Sequence, residues 1–256
     1  MHFRFLAGIF GTSLVLSGAL AQTNSLVDGT RHIPVTPQLS AEDRGDIYMA
    51  RKMYREAIDA FHEGPANNAV LQNKVGIAYH QLLQLDKALK AYQAALKLKP
   101  NYVEAMNNMG TVYYARKNYR RAINWYSRAL KLAPEDVKSA PVYMNLGTAY
   151  FGRKKYEETT KAYEHALKLD PEVFERHGSF GVMLEERTVE ERAKYHLYLA
   201  KLYAKDGRNE LALQYLRKAL EEGVKDKKKI DQEPEFAKLR DTPEFKQLMA
   251  TEQRVL

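Results

Sequence analysis

The chain has 256 residues, 45% of them hydrophobic and 28% charged, which is enough apolar side chain to bury a substantial core. It contains no cysteine, which excludes disulfides, thiolate metal ligands, a catalytic thiol and the acylated cysteine of a bacterial lipoprotein. Its net charge of +8 is a surplus of the kind that nucleic acids and anionic membranes attract. Lysines and arginines are nevertheless spread along the chain with acids interleaved, so the charge reads as a solvated exterior and no nucleic-acid partner is expected.

Arg4 precedes an apolar run over residues 5–20, and Ala19-Leu20-Ala21 puts small residues where signal peptidase requires them. Residues 1–21 are therefore predicted to be a signal peptide removed before Gln22, which implies an exported protein, periplasmic or secreted. The run is shorter than the roughly 20 residues that span a bilayer, so no integral membrane span is expected after cleavage. Residues 22–39 are polar, hold Pro34 and Pro37 and lack an apolar period, the signature of a flexible linker.

Ser40 is placed as a helix cap, with Asp43 three residues on. From there to Pro171 one spaced pattern recurs. Its clearest copy is Met106-x-x-Met109-Gly110-x-x-Tyr113, then Ala122-x-x-x-Tyr126, Ala129 and Pro134. The spacing predicts two helices, near 102–115 and 119–132, joined by Arg116-Lys117-Asn118. Met106, Met109, Gly110 and Tyr113 share one face at the helical period, and small Gly110 and Ala122 let two antiparallel axes approach closely. Earlier copies read Gly45-x-x-Tyr48, Ala57-x-x-x-Phe61, Gly64-Pro65, and Val75-Gly76-x-x-Tyr79, Ala88-x-x-x-Tyr92, Ala95, Pro100. The fourth reads Leu146-Gly147-x-x-Tyr150, Tyr156, Tyr163, Ala166, Pro171, with Thr159 standing where the others have alanine. Extra residues before it fall in the turn-rich stretch 135–141, where an insertion costs little.

Residues 172–189 depart from the pattern, with Gly178 and Gly181 interrupting any helix, and read as an insertion. Residues 190–223 restore it through Leu199-Ala200-x-x-Tyr203, Gly207, Ala212-x-x-x-Leu216 and Ala219. In residues 224–256 two Pro-Glu-Phe runs, at Pro234 and Pro243, predict two short helices that dock Phe236, Leu239, Phe245 and Leu248 as an end cap.

The recurring unit resembles the tetratricopeptide pattern, in which an aromatic, a Leu-Gly pair, a Tyr, an Ala, an aromatic and a Pro fall within 34 residues. Met106 replaces the first aromatic. The resemblance covers residues 40 to about 250, with repeats 1 to 4 in 40–171 and a repeat-like fifth pair in 190–223. It implies an all-α, right-handed superhelical solenoid of about five helix-turn-helix pairs with a C-terminal helical cap. The last segment is similar to the closing element that follows the final repeat in bacterial members of the family. A scaffold for protein partners is the function the resemblance implies.

No catalytic constellation appears. His62-Glu63 begins like a zinc-protease motif but meets Gly64-Pro65, and His165, His177 and His196 are far apart, so neither a metal, a cofactor nor an enzymatic activity is expected. What remains is a groove lined by first helices, with a stripe next to the buried one at i, i+4, i+7. That stripe is Asn73, Ile77 and His80 in the second unit, Asn107, Thr111 and Tyr114 in the third, and Met144, Thr148 and Phe151 in the fourth. In the fifth it is Leu197, Lys201 and Ala204, with Lys194 and Lys205 nearby. Asparagine and threonine suit an extended peptide backbone, and Tyr114 and Phe151 are expected as exposed anchors beside the core. Family members that clamp a terminal carboxylate add basic residues beside such asparagines; here the matching positions of the second and third repeats hold only Lys74. The expected function is a non-catalytic interaction scaffold or assembly factor of the bacterial cell envelope, with a protein or peptide segment in the groove. The alternative is an accessory subunit of a periplasmic or wall-processing enzyme that acts through residues 172–189.

Overall fold

A computed structural model describes residues 39–177 and 188–250; the predicted signal, residues 22–38 of the predicted linker and residues 178–187 of the predicted insertion lie outside them. Ten helices form five antiparallel pairs: α1 Ala41–Ala50 with α2 Tyr54–His62, α3 Ala69–Gln81 with α4 Leu85–Leu98, and α5 Val103–Ala115 with α6 Tyr119–Leu132. They continue with α7 Ala140–Gly152 and α8 Tyr156–Leu169, then, after a short α9 Val173–His177, α10 Val189–Lys205 and α11 Asn209–Glu221. The second helices α2, α4 and α6 also pack on the first helices of the next pairs, α3, α5 and α7, which makes an all-α solenoid.

Every first helix ends in the same way. The peptide N–H two residues past the cap bonds back to a tyrosine carbonyl, as from Gln84 to Tyr79 at 2.9 Å, Asn118 to Tyr113 at 2.8 Å and Arg208 to Tyr203 at 2.9 Å. That closure needs one left-handed residue, supplied by Gly207 at φ 78° in the fifth pair. In the first four pairs Lys52, Leu83, Lys117 and Lys154 take it at φ 57° to 60°, a conformation costing an L-residue about 1–2 kcal/mol.

Within a pair the decisive contact joins a glycine to a buried ring. Tyr92, Tyr126 and Tyr163 are at most 1% exposed and lie over Gly76, Gly110 and Gly147, as Phe61 lies over Gly45. A Cβ at any of these glycines would come within 3.0 Å of ring atoms, so the helix axes sit at a separation only glycine allows. In the fifth pair Ala200 replaces the glycine and Leu216 the aromatic, both fully buried, so the larger small residue meets a smaller large one. Thr159 is fully buried in place of alanine, and its hydroxyl donates to the Lys155 carbonyl at 2.8 Å, so no polar group is stranded.

The joints hold two departures from the sequence reading. The extra residues before α7 form a 3-10 turn, Val137–Ser139, tied down by the Ser139 hydroxyl donating to the Ala133 carbonyl at 2.6 Å. At the start of the predicted insertion, α9 is helical and belongs to the core: Val173 and Phe174 are buried, with Phe174 edge-on to Tyr163 at 4.9 Å between centroids. Thr188, at its end, caps α10 through a reciprocal bond pair with Glu191, both at 3.2 Å.

At the C-terminal end, Ile230, Phe236, Leu239 and Phe245 are buried in one cluster with Leu199, Tyr203 and Leu216, and Leu248 packs against its edge. Pro234–Phe236 is a single 3-10 turn where a helix was expected, and it is preceded by the unforeseen α12 Lys227–Gln232; Pro243–Ala250 is helical (α13) as read from the sequence.

Replacing Gly110 by alanine should lower the unfolding free energy by about 1 kcal/mol, because overpacking at about 1–3 kcal/mol exceeds the roughly 1 kcal/mol gained in helix propensity. In a double-mutant cycle with Tyr126→Leu the penalty should shrink, with a coupling of at least about 0.5 kcal/mol measured by chemical denaturation. Additive losses would mean that the ring does not set the helix separation.

Candidate functional site

The first helices α3, α5 and α7 touch one another directly as well as their own partners, so they lie on the inner side of the array. Between them runs a ladder in constant register. The residue two before the glycine of one repeat meets the residue three before the glycine of the preceding one. At the first step Lys74 pairs with Glu42 at 2.8 Å, and it also reaches Asp46 at 2.5 Å. At the next two, Asn108 donates to Asn73 and Asn145 donates to Asn107, each through Nδ2 to Oδ1 at 3.0 Å. Burial would lower the Lys74 pKa, but hydrogen bonds to Asp46 and Glu42 outweigh it and hold the ammonium above its ordinary value.

The expected stripe divides by burial. Ile77, His80, Asn107 and Thr111 are partly exposed on this face, whereas Asn73, Met144 and Thr148 are buried. Tyr114 and Phe151, expected as exposed anchors, are only 7% and 8% exposed. Tyr114 leans on Tyr119 at 5.1 Å between centroids, and Phe151 meets Tyr156, Tyr195 and Tyr198 at 5.7 to 5.8 Å. Both are core residues, because the helices that follow them in the chain cover the end of each first helix.

The two threonines are engaged as well. Thr111 Oγ1 donates to the Asn107 carbonyl at 3.1 Å and accepts from the Tyr126 hydroxyl at 3.3 Å; Thr148 Oγ1 donates to the Met144 carbonyl and meets the Tyr163 hydroxyl, both at 2.8 Å. They therefore satisfy the phenol oxygens of the rings that pack on Gly110 and Gly147. In the fifth pair Leu197 is half-buried, Ala204 is buried, and the lysines have partners of their own. Lys194 pairs with Glu190 and Lys205 with Glu164, each at 2.6 Å. Lys201 holds Glu233 at 2.7 Å and Glu235 at 3.2 Å, so it fastens the C-terminal segment and does not line an open groove.

The inner face is thus neutral and amide-rich around Asn107 and Asn108. Each asparagine spends one hydrogen bond on the ladder and carries further donor and acceptor capacity. Asn145 Oδ1, buried, makes no hydrogen bond among the described residues. Of the histidines considered for metal, His165 lies against Tyr143 and 3.3 Å from Glu135, His196 meets Glu222 at 2.5 Å, and the side chain of His177 is outside the described ones. No group of three or more metal-ligating side chains gathers among the described residues, and no described helix is long and apolar enough to cross a membrane.

Two family models described as tetratricopeptide repeat match the sequence, one over residues 69–135 and 101–172 and one over 197–230, together more than half of the chain. The chain belongs to the tetratricopeptide-repeat family. No curated protein matches it in sequence. Among solved structures it is similar to PilF of Pseudomonas aeruginosa, with a TM-score of 0.55 and 18% identity over 82% of this chain and 86% of that one. It is also similar to MamA, at a TM-score of 0.47 and 21% identity over 70% and 94% of the two chains. YrrB, described as a tetratricopeptide protein with an unusual peptide-binding site, gives a TM-score of 0.44 and 22% identity over 55% and 73%. At such identities the likeness to PilF establishes the fold alone.

Replacing Tyr114 and Phe151 by alanine should unfold the array locally, since removing a buried aromatic costs about 3–5 kcal/mol. Circular dichroism melting should show a large drop for each single variant; an unchanged melting temperature would return both rings to the list of candidate anchors.

His80 gives the inner face an acid sensitivity. Burial lowers its pKa below the ordinary 6.5, so between the folded and unfolded values the unfolded chain binds more protons. The cost is absent above the unfolded value and grows as pH falls below it. His80→Gln should accordingly flatten the fall in melting temperature below about pH 6.5, relative to the parent protein. Parallel curves for the two proteins would refute the assignment.

Proposed function

We propose that this tetratricopeptide-repeat protein is a non-catalytic interaction scaffold or assembly factor of the bacterial cell envelope, and that it holds an extended protein segment against its inner face. The observation that carries the reading is the amide ladder of Asn73, Asn107, Asn108 and Asn145. Peptide groups are both donors and acceptors, and the half-exposed carboxamides of Asn107 and Asn108, with capacity left, match either end without demanding charge, while buried Asn73 and Asn145 hold them in place. Ile77 and Thr111, partly exposed on the same face, supply small apolar contact. The large anchors expected from the sequence are core residues, so main-chain recognition is favoured over a deep side-chain pocket. An envelope location rests on the signal pattern of residues 1–21, which lie outside the described residues.

A photoreactive amino acid at Thr111, and in parallel at Lys90 on the second helix α4, tests the reading. From protein recovered in the envelope fraction, a discrete crosslinked species should form from position 111 and not from 90, and should be lost in an Asn107→Ala, Asn108→Ala background with unchanged helix content. Crosslinking confined to position 90, or to residues inserted at 178–187, would remove the inner face as the site and favour the accessory-subunit alternative.

A further inference from the structure

The flank of α6 differs from every other second helix. α2 carries Glu56 and Asp59, α4 Asp86, α8 Glu157, Glu158 and Glu164, and α11 Glu210 and Glu221, whereas α6 has Arg120, Arg121, Arg128 and Lys131 and no acid. Arg120 and Arg121 stand in its first turn, where the helix dipole disfavours a cation. Among the described residues no carboxylate forms an ion pair with Arg120, Arg121 or Arg128, whereas the neighbouring Arg116 is paired with Asp86 and Lys161 with Glu157. These three arginines, with Asn124, Trp125 and Tyr113 of α5, line an open cleft of about 370 Å³.

Two of the three arginines are also held over aromatic rings. The Arg128 guanidinium lies 4.2 Å from the Trp125 ring centre and that of Arg121 5.5 Å from the Tyr113 ring centre. Stacking holds a guanidinium flat and leaves its hydrogen-bonding fork free for a planar oxyanion, which lysine in the same place would not provide. Arg120 and Arg128 are about 12 Å apart along the helix, a span that suits several anionic groups on one strand of chain.

We propose that this cleft is a second recognition site, for an acidic segment of a protein partner whose carboxylates engage Arg120, Arg121 and Arg128 and whose side chains rest on Trp125. A duplex nucleic acid or a lipid surface fits less well. Either needs a basic surface that continues on both sides of the cleft; α4 carries Lys87, Lys90 and Lys97, but α8 on the other side interrupts it with Glu157, Glu158 and Glu164. The site is separate from the inner face and does not rest on the envelope assignment.

Trp125 is the only tryptophan of the chain, so its emission reports directly on the cleft. The probe is a fluorescein-labelled hexaglutamate peptide, added to the full chain at low salt, with anisotropy and tryptophan emission read together. Saturable binding that perturbs Trp125, weakens with added salt and falls at least tenfold in the Arg121→Glu, Arg128→Glu variant is expected, with helix content unchanged in that exposed pair. The Asn107→Ala, Asn108→Ala variant should bind the peptide as the parent does, which separates this site from the inner-face reading. Absence of saturable binding, or binding indifferent to the arginine variant, would overturn the proposal. Tighter arginine-dependent binding of duplex DNA, of phosphatidylserine vesicles or of inorganic phosphate would also overturn it, as would arginine-dependent self-association in sedimentation.

Discussion

The separation of two helix axes, fixed by a ring lying on a glycine, governs the rest of this molecule. At Gly45, Gly76, Gly110 and Gly147 there is no room for a methyl group under Phe61, Tyr92, Tyr126 and Tyr163. Close axes bring the helices into contact over most of their length, and each pair then offers two apolar edges that only the next pair can cover. The fifth pair obeys the same volume rule with other residues, Ala200 under Leu216. Filling is conserved within the chain while identity is not, which is how a packed interior tolerates exchange.

Using tyrosine for the ring introduces a polar atom into that contact, and the first helix must answer it. Thr111 and Thr148 do so, each bonding a backbone carbonyl one turn back and a phenol hydroxyl from the facing helix. In the second repeat Ile77 stands at the same place and cannot. Two of the positions nearest the inner face are therefore committed to the interior before any partner arrives. The asparagine ladder is a similar commitment between repeats, since an amide left unpaired in a buried setting would cost about 1–3 kcal/mol. The inner face is what remains after packing and hydrogen-bond satisfaction have taken their share.

This explains what could be read from the residues and what could not. The pair α5 and α6 is legible almost to the residue, because its small and large side chains fall at helical spacing and Asn118 and Lys117 mark the turn. Burial of Tyr114 and Phe151 was not legible. A stripe at i, i+4, i+7 fixes the angle of a side chain about its own helix, but its depth depends on the neighbour, and Tyr119, Tyr195 and Tyr198 come from other helices. α9 was hidden because Gly178 and Gly181 drew attention from Val173 and Phe174, an apolar pair just after Pro171. In the C-terminal segment the two prolines marked the turns correctly but said nothing of Ile230, whose helix carries three lysines and a single apolar residue. The arginine cleft is hidden in the charge of the whole chain, where acids on other helices are interleaved with bases; α6 itself holds four basic residues and no acid.

Two kinds of chemistry consequently occupy two sides of one scaffold. On the inner face charge is mostly absent or answered in place, as Lys74 is by Glu42 and Asp46, so any contact there acts at hydrogen-bond range. The second helices other than α6 carry acids as well as bases, and some of these charges are answered within a turn or across a repeat, as Glu157 is by Lys161 and Glu164 by Lys205 of α10. Such pairs leave little field beyond a Debye length of about 8 Å at physiological salt. α6 has no acid of its own: three arginines with no paired carboxylate among the described residues sum their fields outward, and Tyr113 and Trp125 exclude water from one side of the Arg121 and Arg128 guanidinium groups. A rigid array makes that combination possible, because the flank of one repeat can carry an uncompensated charge while the ring-on-glycine contact inside the same repeat holds its fold.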